Sequence, residues 1–431
     1  MLKLQTGDAL SKRRFLPPAI MMFRRKQKRV LMVVESFARG GVERQILLLS
    51  EGLLQRRYDV RVFELTGVVP GQANFEAELK QLGIPLWNST LFAGAQSDAK
   101  DVEMPLAPFV SLLPANYLAT CRALANAIAD YAPDVVNGWS DIANVMGGFV
   151  AGAADVPRIV IGQRVLPPPF WYGEQLSALY RQAYRRLASD PRVTFVNCSA
   201  TSAKEYEKWL RLTPGTVKVV YIGVSLPIGK SGQSASPADC RARFGLPAHA
   251  RVVGGLMRFA QEKDPWLWIQ TAAVIAAARP DAAFLLGGYG HGTIADELFT
   301  KAKELGLDGR LAMPGVIDEL GPFYGAMDAF LLTSRTENLG NVLIEAQAAG
   351  VPVVAPAVGG VGEAMRDGVT GRLVANRSAQ SLAAEVLDVL GDDHWRARAA
   401  AKAPGFVARK FGQRRMVKET IAIYRSGCIE A

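Results

Sequence analysis

Cysteine and histidine are scarce in this chain, with four and three copies among 431 residues. Cys121, Cys198, Cys240 and Cys428 stand far apart and form no CxxC pair, which excludes a disulfide framework and a cysteine-built zinc site. His249, His291 and His394 share no ligand-like spacing, which argues against a histidine metal centre. With no histidine before position 249, a Ser-His-Asp triad has no base in the first half, and no GxSxG elbow occurs. GxxxxGK[ST] is missing, so there is no P-loop, and without a D-x-D triplet a carboxylate-held divalent ion has no sequence support. Long apolar runs are also lacking. The nearest, Phe15–Phe23, is broken by Pro17-Pro18 and falls well short of the roughly 20 residues that a membrane span needs. No small-residue cleavage site follows it, so a signal peptide is not expected and the cytoplasm is the expected location.

The net charge of +10 is unevenly placed. Residues 1–29 carry nine basic side chains and one acid, Asp8, which leaves the body close to neutral. A body-wide basic face for nucleic acid is therefore not expected. From Val30 onward, short apolar runs alternate with longer segments of helical spacing. The strand candidates are Val30–Val34, Val60–Leu65, Asp134–Asn137, Arg158–Ile161, Val193–Asn197 and Val217–Ile222. Residues 92–115 fit this pattern least and read as an excursion. Ile228–Pro237 is rich in Gly, Ser and Pro, as a linker would be. The alternation then restarts with Val252–Met257, Ala283–Leu286, Leu311–Met313, Ala329–Leu332, Val353–Ala355 and Arg372–Val374. Two such series predict an α/β protein of two doubly wound domains. The expected divisions are a basic tail at 1–29, a first domain at 30–227, a linker at 228–238, a second domain at 239–405 and a closing amphipathic helix within 406–431. Ligands in such sheets bind beyond the carboxyl ends of the strands, so the cleft between the domains is the expected site.

Several strand ends carry groups suited to a phosphorylated sugar. In Leu331–Ala355 an apolar strand leads into a polar loop holding Glu337, then into a helix that starts near Gly340–Asn341 and carries Glu345. Free N–H groups at a helix start attract anions, and a glycine there lets a phosphate approach. Carboxylates on either side can accept hydrogen bonds from sugar or ribose hydroxyls. In Met257–Asp264, Arg258 and Lys263 lie five apart after another strand, as two cations suited to a pyrophosphate. Gly287-Gly288-Tyr289-Gly290, Gly359-Gly360 and Gly40-Gly41 each follow a strand, without the GxGxxG spacing of a dinucleotide site. Each piece alone is an ordinary turn or a solvated helix face.

Together they resemble the retaining glycosyltransferases of family 4, which have the two-domain GT-B fold. The resemblance rests on Glu337-x7-Glu345 followed by AxxxGVPVVA, on Arg258-x4-Lys263, on the Gly40-Gly41 loop and on Val358-Gly-Gly-x-x-Glu363, and it covers nearly all of Val30–Arg425. It implies two Rossmann-like domains facing a central cleft, with the C-terminal helix, Phe406–Arg425, crossing back onto the first. It also implies transfer of a sugar from a nucleotide-diphosphate donor to a glycan or lipid-linked acceptor in bacterial-type surface polysaccharide synthesis, with no metal or other cofactor. By the same resemblance Arg258 and Lys263 would hold the diphosphate, Glu345 the ribose and Glu337 the donor sugar. Leu339, Gly340 and Asn341 would offer backbone to the phosphates or sugar, and Gly41 would border the phosphate from the other side. Gly288 is a further donor-side candidate.

Two positions depart from the family pattern. Asn338 stands where a glycine usually follows the first glutamate, and Asn137 and Trp139 occupy strand-end places where many members have histidine. Trp139 is thus a candidate to stack on an acceptor sugar, with Asn137 beside it. A GT-B epimerase or phosphorylase and a non-catalytic GT-B-like module are the competing readings. The tail, with Phe15, Leu16, Ile20 and Met21–Phe23 among its cations, is expected to meet anionic lipid at the inner face of the cell membrane.

Overall fold

A computed structural model describes residues 27–38, 40–67, 74–92, 116–225, 236–290 and 292–426. The first seven strands are β1 (Arg29–Val34), β2 (Asp59–Glu64), β3 (Leu86–Trp87), β4 (Val135–Gly138), β5 (Arg158–Gln163), β6 (Val193–Asn197) and β7 (Lys218–Val219). They form one parallel sheet in the order β3-β2-β1-β4-β5-β6-β7. Six more, β8 (Arg251–Arg258), β9 (Ala282–Tyr289), β10 (Leu311–Gly315), β11 (Ala329–Leu331), β12 (Val353–Pro356) and β13 (Gly371–Val374), form a second parallel sheet. Its order is β10-β9-β8-β11-β12-β13.

Alternation along each central strand sends side chains into two cores. Leu31 and Val33 of β1 pack on one face of the first sheet, and Val30, Met32 and Val34 pack on the other. In β8, Val252 and Val253 divide in the same way. A strand buried on both faces reads as a continuous apolar run, which is why the central strands are plain in the sequence. Helices α1 (Gly41–Leu54), α2 (Glu76–Gln81), α3 (Asn116–Tyr131), α4 (Asp141–Ala153), α5 (Glu174–Leu187) and α6 (Ala200–Leu210) belong to the first half. The second half holds α7 (Pro237–Ala242), α8 (Pro265–Ala278), α9 (Ile294–Glu304), α10 (Leu320–Gly325), α11 (Asn341–Ala348), α12 (Ala379–Gly391), α13 (Asp393–Phe411) and α14 (Gln413–Arg425).

The boundaries differ from the sequence reading in three places, at β1, at the linker and at the closing helix. Arg29 is the first residue of β1, its N–H bonded to Asp134 Oδ2 at 2.7 Å, and the Lys28 carbonyl accepts from Asp59 N at 2.9 Å. Those two cations therefore belong to the folded edge and not to the tail; the tail through residue 26 lies outside the described residues. The expected excursion at 92–115 also lies outside them, except for Phe92, which packs against Trp87. The linker ends earlier than expected, because Ser236 and Asp239 form a reciprocal capping box that starts α7 at Pro237. The final helix is two helices. Phe406, Val407 and Phe411 belong to α13 and to the core of the second domain. Gly412 then breaks the path, its neighbours tied to Val224 by Val224 N to Phe411 O (2.7 Å) and Gln413 N to Val224 O (3.1 Å).

Only α14 crosses back. Met416, Val417, Ile421 and Tyr424 join the core that holds Val30, Met32 and Val34. Within the first sheet the strand order reverses beside β1, between β2 and β4; in the second it reverses beside β8, between β9 and β11. Both reversals open a crevice at the strands' carboxyl ends. Among the described residues no helix is long and apolar enough to cross a membrane.

Candidate active site

Between the two crevices lies a cleft of about 540 Å³ lined from both domains. On one wall, β8 ends at Arg258 and the chain turns through Glu262 and Lys263 into α8. That turn is held by Asp264, whose side chain accepts from Leu267 N at 3.2 Å to cap α8, with Pro265 at the first helical position. Asp264 also pairs with Arg335 at 2.9 Å and with Arg377. Lys263 is thus presented by a loop with little freedom, and its Nζ lies 2.6 Å from Glu337 Oε1. Ser334 Oγ donates to the same oxygen at 2.8 Å. Arg258 pairs with Glu262, whose carboxyl burial alone would raise; Arg258 and the nearby Lys263 hold it below its ordinary value.

Glu337 sits in the loop after β11, with Asn338 and the buried Leu339 next in chain. Gly340 takes a φ of +88° to turn the chain into α11. Gly359 takes a φ of +50° directly against this loop, where a Cβ would overlap the Glu337 carbonyl oxygen. From the other wall the Gly40-Gly41 loop approaches so closely that a Cβ on Gly41 would lie 2.9 Å from Asn341 Nδ2. Arg258, Lys263, Glu337, Leu339, Gly340, Asn341 and Gly41 therefore come together on one cleft, although they lie up to 300 residues apart.

Other expected site residues are placed differently. Glu345 lies in α11 beneath this wall, buried, its Oε1 3.2 Å from Arg44 NH1 and its Oε2 accepting from Tyr324 OH at 3.1 Å. Burial raises its pKa against the pull of Arg44 and Tyr324. Gly288 is not at the cleft. It is buried in β9 with a φ of +143°, where a Cβ would overlap the Met257 carbonyl oxygen, and its neighbour Tyr289 reaches the cleft instead. Trp139 does not face an acceptor either: it is 1% exposed, and Arg164 lies over its ring at 4.0 Å. Asn137, also 1% exposed, donates to Tyr424 OH of the crossing helix at 2.8 Å. Both residues support the domain core and the return of α14. Alternation in a strand end does not reveal which helix covers it, and that helix comes from 287 positions away.

Further lining residues were not in the sequence-derived set. Asn338 donates to Cys198 Sγ at 3.0 Å across the cleft, a bond the family's usual glycine could not make. Glu43, in the first turn of α1, is pushed up to about 7, mainly by burial, with its own backbone N–H opposing and Glu35 adding to the rise. Arg164, Trp171 and Tyr172 follow β5, and the run Pro167–Tyr172, three prolines and three aromatics, was the available signal. Glu363 explains the last piece of the motif set. Its carboxylate caps α6 of the other domain, accepting from Ala200 N (2.8 Å), Thr201 N (2.7 Å), Ser199 Oγ (2.9 Å) and Tyr221 OH (2.9 Å). Burial works against that charge, but these donors hold the carboxyl below its ordinary range.

Two parallel sheets facing each other across a cleft are the architecture of the GT-B fold, and the family matches make the class that of the glycosyltransferases. The profile described as Glycosyltransferase Family 4 matches residues 39–226, and that described as Glycosyl transferases group 1 matches residues 239–405. The chain belongs to glycosyltransferase family 4. It is 30% identical over 390 residues to the Vi polysaccharide biosynthesis protein VipC/TviE of Salmonella typhi, covering 84% of this chain and 67% of that protein. A D-inositol 3-phosphate glycosyltransferase of Thermobispora bispora is 36% identical over 225 residues, which is 50% of this chain and 51% of that enzyme. The chain thus spans about half to two thirds of these relatives. The crystal structure of Anabaena HepE in complex with UDP and glucose superposes with a TM-score of 0.75 at 21% identity, covering 92% of this chain and 99% of that one. That likeness speaks to the fold.

Proposed function

We propose that the chain transfers a sugar from a nucleotide-diphosphate donor, with retained configuration, to a glycan or lipid-linked acceptor in the synthesis of a surface polysaccharide. The observation that carries this reading is the Lys263–Glu337 pair beside Arg258, set opposite the Gly41–Asn341 approach. It joins two cations, a helix start and a buried carboxylate on one cleft. Lys263 spends one of its three N–H donors on Glu337 and keeps others for diphosphate oxygens, with Arg258 as the second cation. Glu345 is the candidate for the ribose hydroxyls, through the 12% of its side chain that stays exposed beside Arg44. Glu337 would accept from hydroxyls of the donor sugar.

In the step itself the acceptor hydroxyl oxygen forms a bond to the anomeric carbon on the face that the phosphate leaves. The bond from carbon to phosphate oxygen breaks, and the hydroxyl proton passes to a phosphate oxygen. Charge grows on the departing diphosphate, and Lys263 and Arg258 stabilise it more in the transition state than before it. UDP is the first donor base to test, because HepE was solved with it. Surface polysaccharide is the favoured product class, because the Vi protein is named for one.

The test incubates the full chain with UDP-, GDP- and other nucleotide sugars and follows nucleotide release with and without lipid-linked acceptors. Acceptor-dependent release supports transfer; a new sugar isomer without acceptor points to an epimerase. Release with no donor, together with no nucleotide binding, leaves a non-catalytic module. The basic N-terminal segment would bring the enzyme to anionic lipid, at about 1 kcal/mol per cation. Salt-sensitive sedimentation with anionic vesicles, lost on removal of residues 1–26, is the expected result.

A further inference from the structure

The six charged side chains that line the cleft do not balance locally. Arg258 pairs with Glu262 and Lys263 with Glu337, which leaves Glu43 and Arg164. Glu43 makes no ion pair with Arg164 among the described residues, and burial pushes its carboxyl up to about 7. Among the described residues no carboxylate lies within ion-pairing distance of Arg164, and its Nε has no hydrogen-bond partner. Its side chain hydrogen-bonds the Cys198 sulfur, and burial pushes that thiol's pKa up. A largely buried guanidinium with no anion is unfavourable unless something else supplies one.

The position of this cation is informative. Arg164 follows the carboxyl end of β5, and its guanidinium carbon lies over the Trp139 ring, 4.0 Å from the centroid. Cys198, beside it, also contacts Asn338, the residue next to Glu337. Arg164 thus lies on the first-domain wall, two contacts from the carboxylate that faces the donor sugar. Trp171 and Tyr172 line the same wall and are more than one-third exposed. Trp171 is held by its indole N–H bond to the Leu166 carbonyl at 2.9 Å, and Tyr172 stacks on Tyr180 with centroids 5.3 Å apart. Fixed, exposed aromatic faces beside a polar group suit a pyranose ring.

We propose that Arg164, Trp171 and Tyr172 form the acceptor subsite, and that it takes a sugar bearing an oxyanion, either a carboxylate or a phosphate. The fork of Arg164 receives the oxyanion in a bidentate pair, and the two rings carry the sugar face. This inference rests on the transferase reading above and narrows its acceptor class.

Calorimetry on the full chain saturated with UDP tests it. One arm compares trigalacturonic acid with its methyl ester; the other compares mannose 6-phosphate with mannose. The acidic form of at least one pair should bind about tenfold more tightly than its neutral form, as expected for one charge-assisted pair. The arm that shows the preference identifies the oxyanion. Arg164→Gln should abolish the preference and leave UDP affinity within about twofold, and Arg164→Lys should retain part of it. Because Arg164 packs on a buried tryptophan, Trp171→Ala, at an exposed position, provides an independent variant. It should weaken both members of the favoured pair by about tenfold without changing their ratio. Equal affinity of wild type for acidic and neutral forms overturns the proposal, as does a preference that survives in Arg164→Gln or a Gln variant that loses UDP in place of the sugar. Failure of wild type to bind UDP or any other nucleotide counts against the transferase reading itself; normal UDP binding without an acidic preference removes this inference alone.

Discussion

The two walls of the cleft are built on different terms. On the second-domain wall nearly every charge has its partner: Lys263 with Glu337, Arg258 with Glu262, and Asp264 with Arg335 and Arg377. In the first domain, among the described residues, buried polar atoms without partners gather at the ends of β4 and β5, on Asn137, Trp139, Ser140, Asp141, Gln163 and Arg164, and of these only Arg164 lines the cleft. Asp141, held by Tyr184 OH at 2.6 Å, is still raised to about 6 by burial, against the pull of its tyrosine partners. On the proposed reading the second-domain wall handles a diphosphate, which needs fixed cations whatever sugar is moved, so it can be complete in advance. On the same reading Arg164 is the group of the first-domain wall left for an acceptor, while the unpaired atoms of Asn137 and Trp139 are buried behind it.

The contrast can be broken experimentally, and the largest effect is expected at the completed wall. Lys263→Ala should lower kcat by about 10²- to 10³-fold, the usual loss for one preorganised donor, and weaken UDP binding far less. Nucleotide release under saturating donor, set beside calorimetry with UDP, separates the two; equal losses in both would mean that Lys263 only binds. Next in size, Gly359→Val should destabilise the chain by about 3 kcal/mol. It places a branched side chain at positive φ against the Glu337 carbonyl. A thermal midpoint unchanged from wild type would show that this turn is not what seats Glu337.

Glu363→Ala tests whether the walls are held in register. Removing a half-buried carboxylate that accepts four hydrogen bonds from the other domain should cost about 2 kcal/mol, the net worth of roughly one bond to a charged group, because water can replace the others at this partly exposed position. Small-angle scattering should show a wider distribution of interdomain distances. An unchanged profile and midpoint would assign the register to α14 alone. The smallest effect is expected at Glu43. Its folded pKa of about 7 lies above the ordinary 4.5, so the folded chain binds more protons between those values. Stability therefore falls as pH rises from about 4.5 to about 7 and stays lowered above that. Glu43→Gln should remove the slope, so that its gain in thermal midpoint over wild type appears at about pH 8 and vanishes at about pH 4. UDP affinity should decline through pH 7 in wild type and flatten in the variant, because an ionised Glu43 repels the diphosphate.

Legibility in the sequence follows how local each feature is. Central strands such as β1 and β6 and helices such as α8 are signalled by their own apolar spacing, by Asp264 and by Pro265. Short elements at the margins, β3, α2, α7 and α10, bury too few residues to leave a periodic signal. The single closing helix was misread because apolar spacing continues through Gly412 while the packing partner changes from the second domain to the first.

The same distinction runs through the site. Strand-end loops that present Arg258 with Lys263, or Glu337 with Gly340, act within a few residues, so their chemistry is written in consecutive letters. Two doubly wound domains, a cleft between them and a wall of paired charges follow from such local runs. Pairings between distant segments leave no mark in local spacing: Glu363 on α6, Asn338 on Cys198, Tyr424 on Asn137. Packing moved Trp139 from a binding face into the core and left Arg164 above it as the cation without an anion. Burial and charge compensation depend on every chain segment that reaches a point in space, so only the assembled molecule could assign them.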